Sequence, residues 1–245
     1  MAKKRISLTL DEDLVETLDR RIEEEGIGNR SKGVETFLRD YLRSQGVRTA
    51  VILGGGRESS CLVEVDDEPA IAHALTFLTE AGIERVYVAT ADPPVRTYLE
   101  AEAPDVNVLY EDEAMGTAGS LDRIDIAEDE TFLVMNGDVL CDIDVGDMAR
   151  THWDSDVLAT MALTTSGETS EYGVVQMKGN QIVGFTEKPE ESESHLINAG
   201  VYLLEGAFLN RVPEGRSQLA DLFEQLAGEG ELAGYVYDGE WREAT

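Results

Sequence analysis

The stretch VILGGGRESSCLVEVDDEPAI, residues 51–71, decides how this chain is read. An apolar run, Val51-Ile52-Leu53, ends in Gly54, Gly55 and Gly56. A strand that stops at consecutive glycines is how a phosphate-cradling turn begins, because a backbone without Cβ lets its amides approach anionic oxygens closely. The next residues depart from such a turn. Arg57, Glu58, Ser59 and Ser60 form a short polar run, and no lysine precedes Cys61. Three readings are open on these residues alone: a working nucleotide site, a nucleotide site that has lost its chemistry, and a plain strand–loop–helix joint.

Outward from this stretch, strands and helices alternate. RTAVIL (48–53) reads as a strand and PAIAHALTFLTEAG (69–82) as a helix with Pro69 at its first position. RVYVAT (85–90) is strand-like, PVRTYLEAEA (94–103) helical, VNVLY (106–110) strand-like and TAGSLDRIDIA (117–127) helical. TFLVMNGD (131–138) is a strand ending in an acid. This rhythm predicts an α/β, Rossmann-like domain, with a mostly parallel sheet and helices on both faces. Ligands on such sheets bind at the carboxyl ends of the strands, where LGGG (53–56), GTAG (116–119) and NGD (136–138) fall. The second half changes character. VLATMALTT, YGVVQMK, QIVGFTEK and INAGVYLLE are strand-like, with a hairpin turn at 178–181. AFLNRV and QLADLFEQLAGEG are helical, and GYVYD (234–238) is a last strand, so the sheet becomes mixed.

Residues 1–45 are a separate predicted domain, and 48–245 the second. In KRISLTL, Ile6, Leu8 and Leu10 point one way, and Arg5, Ser7 and Thr9 the other, as in a half-buried strand. DEDLVETLDRRIEEEG spaces Leu14, Leu18 and Ile22 by four and stops at Gly26; NRSKGVETFLRDYLRSQG comes next, with Ser31 as expected N-cap and an apolar stripe at Val34, Phe37, Leu38, Tyr41 and Leu42. One strand and two helices cannot bury their apolar faces alone, so a homodimer is expected.

Charge separates the two parts. Of 20 bases and 50 acids, residues 1–50 carry ten of each, so the whole net charge of −30 lies on the remainder. With only five lysines and 42% hydrophobic residues, such a chain reads as adapted to a very salty cytoplasm rather than as disordered. No apolar run approaches the ~18 residues of a membrane span, and MAKKRISLTLDED lacks the apolar centre of a signal peptide. A soluble, cytoplasmic protein without membrane partners is expected. Cys61 and Cys141 are too few for a disulfide framework.

The strand–helix–helix order of residues 3–44 resembles the ribbon-helix-helix DNA-binding family, in which two chains pair their strands into a ribbon that enters the major groove. The resemblance implies base reading by Arg5, Ser7 and Thr9, and phosphate contact by Arg30 and Ser31 at the start of the second helix. That family often has proline at the head of its first helix, where Asp11 stands here.

From Ala50 onward, VILGGG, LVEVDDEPAI, GTAG, FLVMNGDV, YGVV, FTEKP and INAGVYLL occur in an order that resembles the sugar-phosphate nucleotidyltransferases. These join an NTP to a sugar 1-phosphate and release pyrophosphate. The resemblance implies Gly54, Gly55, Gly56, Gly116 and Gly119 around the nucleotide. It implies Gly173, Glu187, Lys188, Asn198 and Gly200 around the sugar phosphate, and Asp138 as a Mg2+ carboxylate. WREAT (241–245) resembles the family's Trp-x-Asp-Ile-Gly-Thr, which puts Glu243 at a second metal position, expected on a fraying terminus. Two departures fall in the opening stretch: the glycine loop is shortened, with Arg57 as the stand-in for its arginine, and Ser60 occupies the place of the catalytic lysine. Such losses remove transition-state charge stabilisation more than ground-state binding. Three functions stand as alternatives: a DNA-binding regulator with a weakened body that binds a nucleotide, sugar phosphate or sugar nucleotide; an active nucleotidyltransferase with the first domain serving assembly; and a dimeric DNA-binding scaffold with an inert body.

Overall fold

The structure is a computed structural model that describes residues 7–24, 26–44, 46–56 and 59–244, without the side chains of 39–44. The chain divides into two compact units, Met1–Gly46 and Val47–Thr245. Among the described residues no helix is long and apolar enough to cross a membrane.

In the first unit, Glu12 and Asp13 open α1 (Glu12–Glu24), where the helix dipole favours acids. Gly26, at φ 67°, ends it in the glycine-terminated pattern, with Ile27 N–H donating to the Ile22 carbonyl at 2.9 Å. α2 (Arg30–Ser44) starts two residues earlier than Ser31 would dictate as its cap. Asn29 is the cap instead: its Oδ1 accepts the Lys32 amide at 2.9 Å, which leaves Ser31 inside the first turn. The helices meet where Gly33 is buried against the Ile22 side chain, too closely for a Cβ. No residue of α1 is buried, Leu14 is 54% exposed and Leu38 is 50% exposed. The side chains of Tyr41 and Leu42 lie outside the described residues.

The strand expected over residues 4–10 is not formed by residues 7–10, and its first residues, Arg5 included, lie outside the described residues. A lone strand has no partner for its amides and carbonyls, and Leu8 and Leu10 are exposed.

The second unit strings together β1 (Thr49–Leu53), the hairpin β2 (Glu64–Val65) and β3 (Glu68–Pro69), α3 (Ala70–Glu80), β4 (Arg85–Thr90), α4 (Pro93–Glu102), β5 (Asn107–Tyr110) and the single turn α5 (Gly116–Gly119). β6 (Thr131–Asn136), β7 (Val139–Cys141), α6 (Val145–Ser155), β8 (Ala159–Thr165), β9 (Gly173–Lys178), β10 (Gln181–Glu187) and β11 (Leu196–Glu205) come next. α7 (Leu219–Glu229), β12 (Leu232–Val236) and β13 (Trp241–Glu243) complete it. The main sheet runs β5-β4-β1-β6-β11-β8-β12-β10-β9. The β5-β4-β1-β6 portion is parallel throughout; antiparallel β11 joins it to a mixed second portion.

Alternation along the strands divides the core in two. Val51 and Leu53 of β1, with Phe132 and Val134 of β6, face α7 and the Leu121 and Phe208 turns. Ala50 and Ile52, with Leu133 and Met135, face α3, α4 and α6. The helix expected over 117–127 is shorter: α5 passes into a 3-10 turn that ends at Arg123, and Ile124 is extended. α6, β7 and β13 were not expected. The first is opened by Asp144, whose Oδ1 accepts the Asp147 amide at 2.8 Å.

Candidate functional site

β1, β4 and β6 end side by side, and three loops meet there. Gly54 is buried and its amide donates to the Ala89 carbonyl at 2.7 Å. Thr90 Oγ1 donates to the carbonyls of Gly54 and Gly55 at 3.2 and 3.3 Å, so the loop is stitched to the end of β4. Gly55 has φ 73°, a backbone that glycine adopts without strain. Gly56 is next, beside Ala114. Arg57 lies outside the described residues, as does Glu58. Ser60 then opens a 3-10 turn, and Cys61 is buried below it, its thiol pushed up to about 11 by burial, with Asp138 and Asp92 adding to the effect.

Asp138 lies just beyond the β6 tip. Gly137 N–H donates to the Leu53 carbonyl at 3.0 Å, which locks the NGD turn to the glycine loop. Burial raises the Asp138 carboxyl above its ordinary range. Glu243 is not on a fraying end: β13 pairs with β7, Glu243 lies opposite Val139, and the Ala244 amide donates to the Asp138 carbonyl at 2.8 Å. Its carboxyl is also raised, by burial and then by Asp138, while Lys188 pulls it down. Asp138, Glu243 and Lys188 therefore share one electrostatic neighbourhood. Lys188 itself is exposed and has φ 44°, a conformation that costs a non-glycine residue energy and is held by its amide donating to the Tyr172 carbonyl at 3.1 Å.

The remaining residues expected around the sugar phosphate form a second group. Gly173 lies opposite Glu187, and a Cβ there would meet Glu187 Oε2 at 2.9 Å and the Phe185 ring at 2.7 Å. Gly200, at φ 72°, sits in an irregularity of β11 between Asn198 and Tyr202. Asn198 is engaged within that bulge: its Oδ1 accepts the Gly200 amide at 2.9 Å and its Nδ2 donates to Tyr202 Oη at 2.8 Å. Burial pushes the Tyr202 hydroxyl far up, with Glu187, Glu243 and Asp138 contributing. Gly116 and Gly119 have a packing duty. The segment Gly215–Gln218 lies against them, so closely that a Cβ at Gly119 would be 2.6 Å from the Gly215 carbonyl and one at Gly116 would overlap that of Ser217.

Several residues at this site escaped the sequence reading. Tyr172 stacks edge-on against Trp241 at 5.5 Å, and Trp241 Nε1 donates to the Ala199 carbonyl at 2.8 Å. Both lay inside quoted motifs, YGVV and WREAT. Glu111, 4% exposed at the end of β5, accepts the Met115 amide on Oε2 at 3.0 Å, while its buried Oε1 has no partner among the described residues. Asp92 is 6% exposed and its Oδ2 accepts the Ser59 amide at 3.4 Å. Arg216 is exposed on the segment that packs on Gly116 and Gly119. Nothing in local patterning separates these acids, base and aromatics from ordinary surface residues.

Of the DNA-facing residues, Ser7 and Thr9 are exposed, and Ser31 is exposed in the first turn of α2. The Arg30 guanidinium forks onto Asp19, with Nε to Oδ1 at 2.7 Å and Nη2 to Oδ2. That pair is exposed on both sides, so water screens it. Arg21 stacks over the Phe37 ring at 4.3 Å.

Residues 50–243 match the family model described as nucleotidyl transferase, and residues 4–45 match that of the ribbon-helix-helix protein, copG family. The chain belongs to the nucleotidyltransferase family, with a ribbon-helix-helix DNA-binding domain in front. Family relatives include a mannose-1-phosphate guanyltransferase of Yarrowia lipolytica, 31% identical over 192 residues, and mannose-1-phosphate guanyltransferase beta-A of Xenopus laevis, 32% identical over 194. Each alignment takes in 74% of this chain and 53% of the relative, so the chain spans about half the length of these relatives. The fold matches HddC from Yersinia pseudotuberculosis, solved with GMP-PN, at TM-score 0.69 and 18% identity over 81% of this chain and 94% of that one.

Proposed function

We propose that this nucleotidyltransferase-family chain is a cytoplasmic, dimeric DNA-binding regulator, and that its body binds a nucleotide, sugar phosphate or sugar nucleotide with weakened transfer chemistry. One observation carries the reading. Ser60, not lysine, opens the turn beyond the glycine loop, and Asp92 and Asp138 both act on the next residue, Cys61. A preorganised charge of this kind is worth on the order of 100–1,000-fold in rate, and its loss leaves ligand binding largely in place. Lys188, Glu187, Tyr172 and Trp241 supply hydrogen-bonding and stacking groups for a sugar phosphate, and exposed Arg216 offers a cation beside the α5 turn.

Guanine and mannose are the favoured base and sugar. The relatives' names point to them. The unpartnered Glu111 Oε1 also asks for an N–H donor, which guanine presents twice over on its pairing edge. Mg2+ suits the carboxylate pair: Asp138 and Glu243 are hard oxygen donors whose raised proton affinity a dication would reverse. Among the described residues no set of three or more His, Cys, Asp or Glu converges as a cage, so the pair would hold the ion together with ligand phosphates. When bound, that ion would neutralise phosphate charge.

The test is to select a duplex from a random pool with the purified protein at molar KCl, then titrate it with and without GDP-mannose and Mg2+. Operator affinity should change on ligand addition. Unchanged affinity, together with pyrophosphate release from GTP and mannose 1-phosphate, would establish the second reading, an active nucleotidyltransferase. That second reading draws on the pinned Glu243, which keeps the two carboxylates together.

A further inference from the structure

A phosphate loop binds through backbone N–H groups that point at the ligand. Beyond the glycines, the two loop amides of Ser59 and Cys61 are already engaged. Ser59 N–H donates to Asp92 Oδ2 at 3.4 Å, and Cys61 N–H donates to Ser59 Oγ at 3.1 Å. Asp92 stands at the N-cap position of α4 yet gives that helix no side-chain cap bond; its carboxylate turns to the loop instead. The placement is held firmly. The Asp92 amide donates to Thr90 Oγ1 at 3.0 Å, the same hydroxyl that fastens Gly54 and Gly55. With the residue only 6% exposed, its charge is screened far less than a surface acid's would be.

An acid so placed does what a bound phosphate oxygen would do: it accepts a loop amide and brings negative charge to the spot. Resting on the reading of this crevice as a nucleotide and sugar-phosphate site, we propose that Asp92 is a built-in anion that closes the glycine loop to a triphosphate. The body thus selects a nucleoside diphosphate sugar over a nucleoside triphosphate. The two ligands differ in where their charge goes. A glycine loop takes phosphate on its backbone amides, and a triphosphate would bring one more anionic group to a loop that already holds Asp92 and has serine at position 60. A diphosphate sugar keeps two phosphates, and its sugar end lies toward Lys188, Glu187 and the Tyr172–Trp241 pair. The cation Lys188 sits on that half, its amide donating to the carbonyl of Tyr172, which packs on Trp241. In regulatory terms the chain would respond to the product of the family's reaction and ignore the abundant NTP that its relatives consume.

Binding is measured by calorimetry at molar KCl with Mg2+, using matched pairs: GDP-mannose and GTP, UDP-glucose and UTP, ADP-glucose and ATP, dTDP-glucose and dTTP. The full chain should bind one diphosphate sugar about tenfold or more tightly than its triphosphate, the factor that 1.4 kcal/mol represents. Asp92→Asn keeps an oxygen for the Ser59 amide and removes the charge. It should raise triphosphate affinity about tenfold and leave the diphosphate sugar within about twofold. Equal wild-type affinities within each pair, or a ratio unmoved by both Asp92→Asn and Asp92→Ser, would overturn the loop closure while leaving the nucleotide-sugar reading intact. No binding by any pair would overturn both. The wild-type comparison needs no variant to fold, and melting curves verify that each variant does.

Discussion

The two halves of the crevice are built on one sheet but are not alike. The residues expected around the sugar phosphate, Gly173, Glu187, Lys188, Asn198 and Gly200, lie on or next to β9, β10 and β11, with Tyr172 and Trp241 packed together beside them, and even a lysine at φ 44° is tolerated. On the glycine-loop side, Ser60 is neutral, Asp92 is acidic, and two amides are turned inward. On the proposed function, the first side would recognise a sugar phosphate and the second would no longer stabilise the charge of a transferring phosphoryl group. A site can lose the stabilisation of a developing triphosphate charge and still keep the geometry that recognises a sugar phosphate.

The sharpest way to break this contrast is to place a base at position 60. Ser60→Lys, made together with Asp92→Asn, should raise pyrophosphate release from GTP and mannose 1-phosphate by about 100-fold, since one such charge is worth that much. An unchanged rate would show that the altered loop is not what limits chemistry.

Next in size is Gly116→Ala. A Cβ there overlaps the Ser217 carbonyl, and φ 79° strains any other residue. A loss of about 1–3 kcal/mol is expected, read as a Tm drop of about 2–4 °C for each kcal/mol. A smaller effect would mean that the 215–218 segment yields easily.

Asp138→Asn probes the carboxylate pair through pH. Asp138 and Glu243 both have folded-state values above their ordinary 3.8 and 4.5. The folded state therefore holds these protons more tightly. That contribution to stability is complete at acid pH and disappears as pH rises through the ordinary values to the raised ones. Wild type and variant should melt alike near the acid end, and the variant should melt higher at neutral pH. The variant should also lose any strengthening of GDP-mannose binding by Mg2+.

The smallest effect concerns the head. Arg30→Ala should weaken DNA binding uniformly across sequences and lower the salt slope by about 1 for each head. A sequence-dependent loss would instead make Arg30 a base reader, despite its pairing with Asp19.

Much of this was legible in one dimension. Apolar alternation in β1 and β6, the fourfold spacing in α1 and the Gly26 stop are local properties, and each element formed close to its expected bounds. Ser31 failed as a cap because Asn29, two residues earlier, offers an equally good oxygen, and only the chain path chooses between them. β13 was missed because three residues carry no periodicity; its partner β7 is a hundred residues away in sequence and next to it in space.

The sequence by itself determined the two-part organisation, the neutral head and acidic body, the order of motifs and the presence of Ser60 ahead of Cys61. These are properties of composition and of neighbours along the chain. Only the tertiary structure decided that Glu243 is pinned beside Asp138, that Gly116 and Gly119 admit the 215–218 backbone, and that Asp92 turns its carboxylate to the glycine loop. The physical reason is that charge repulsion, close packing and hydrogen bonds act across space. Chain separation does not reveal which acid will lie within reach of which amide.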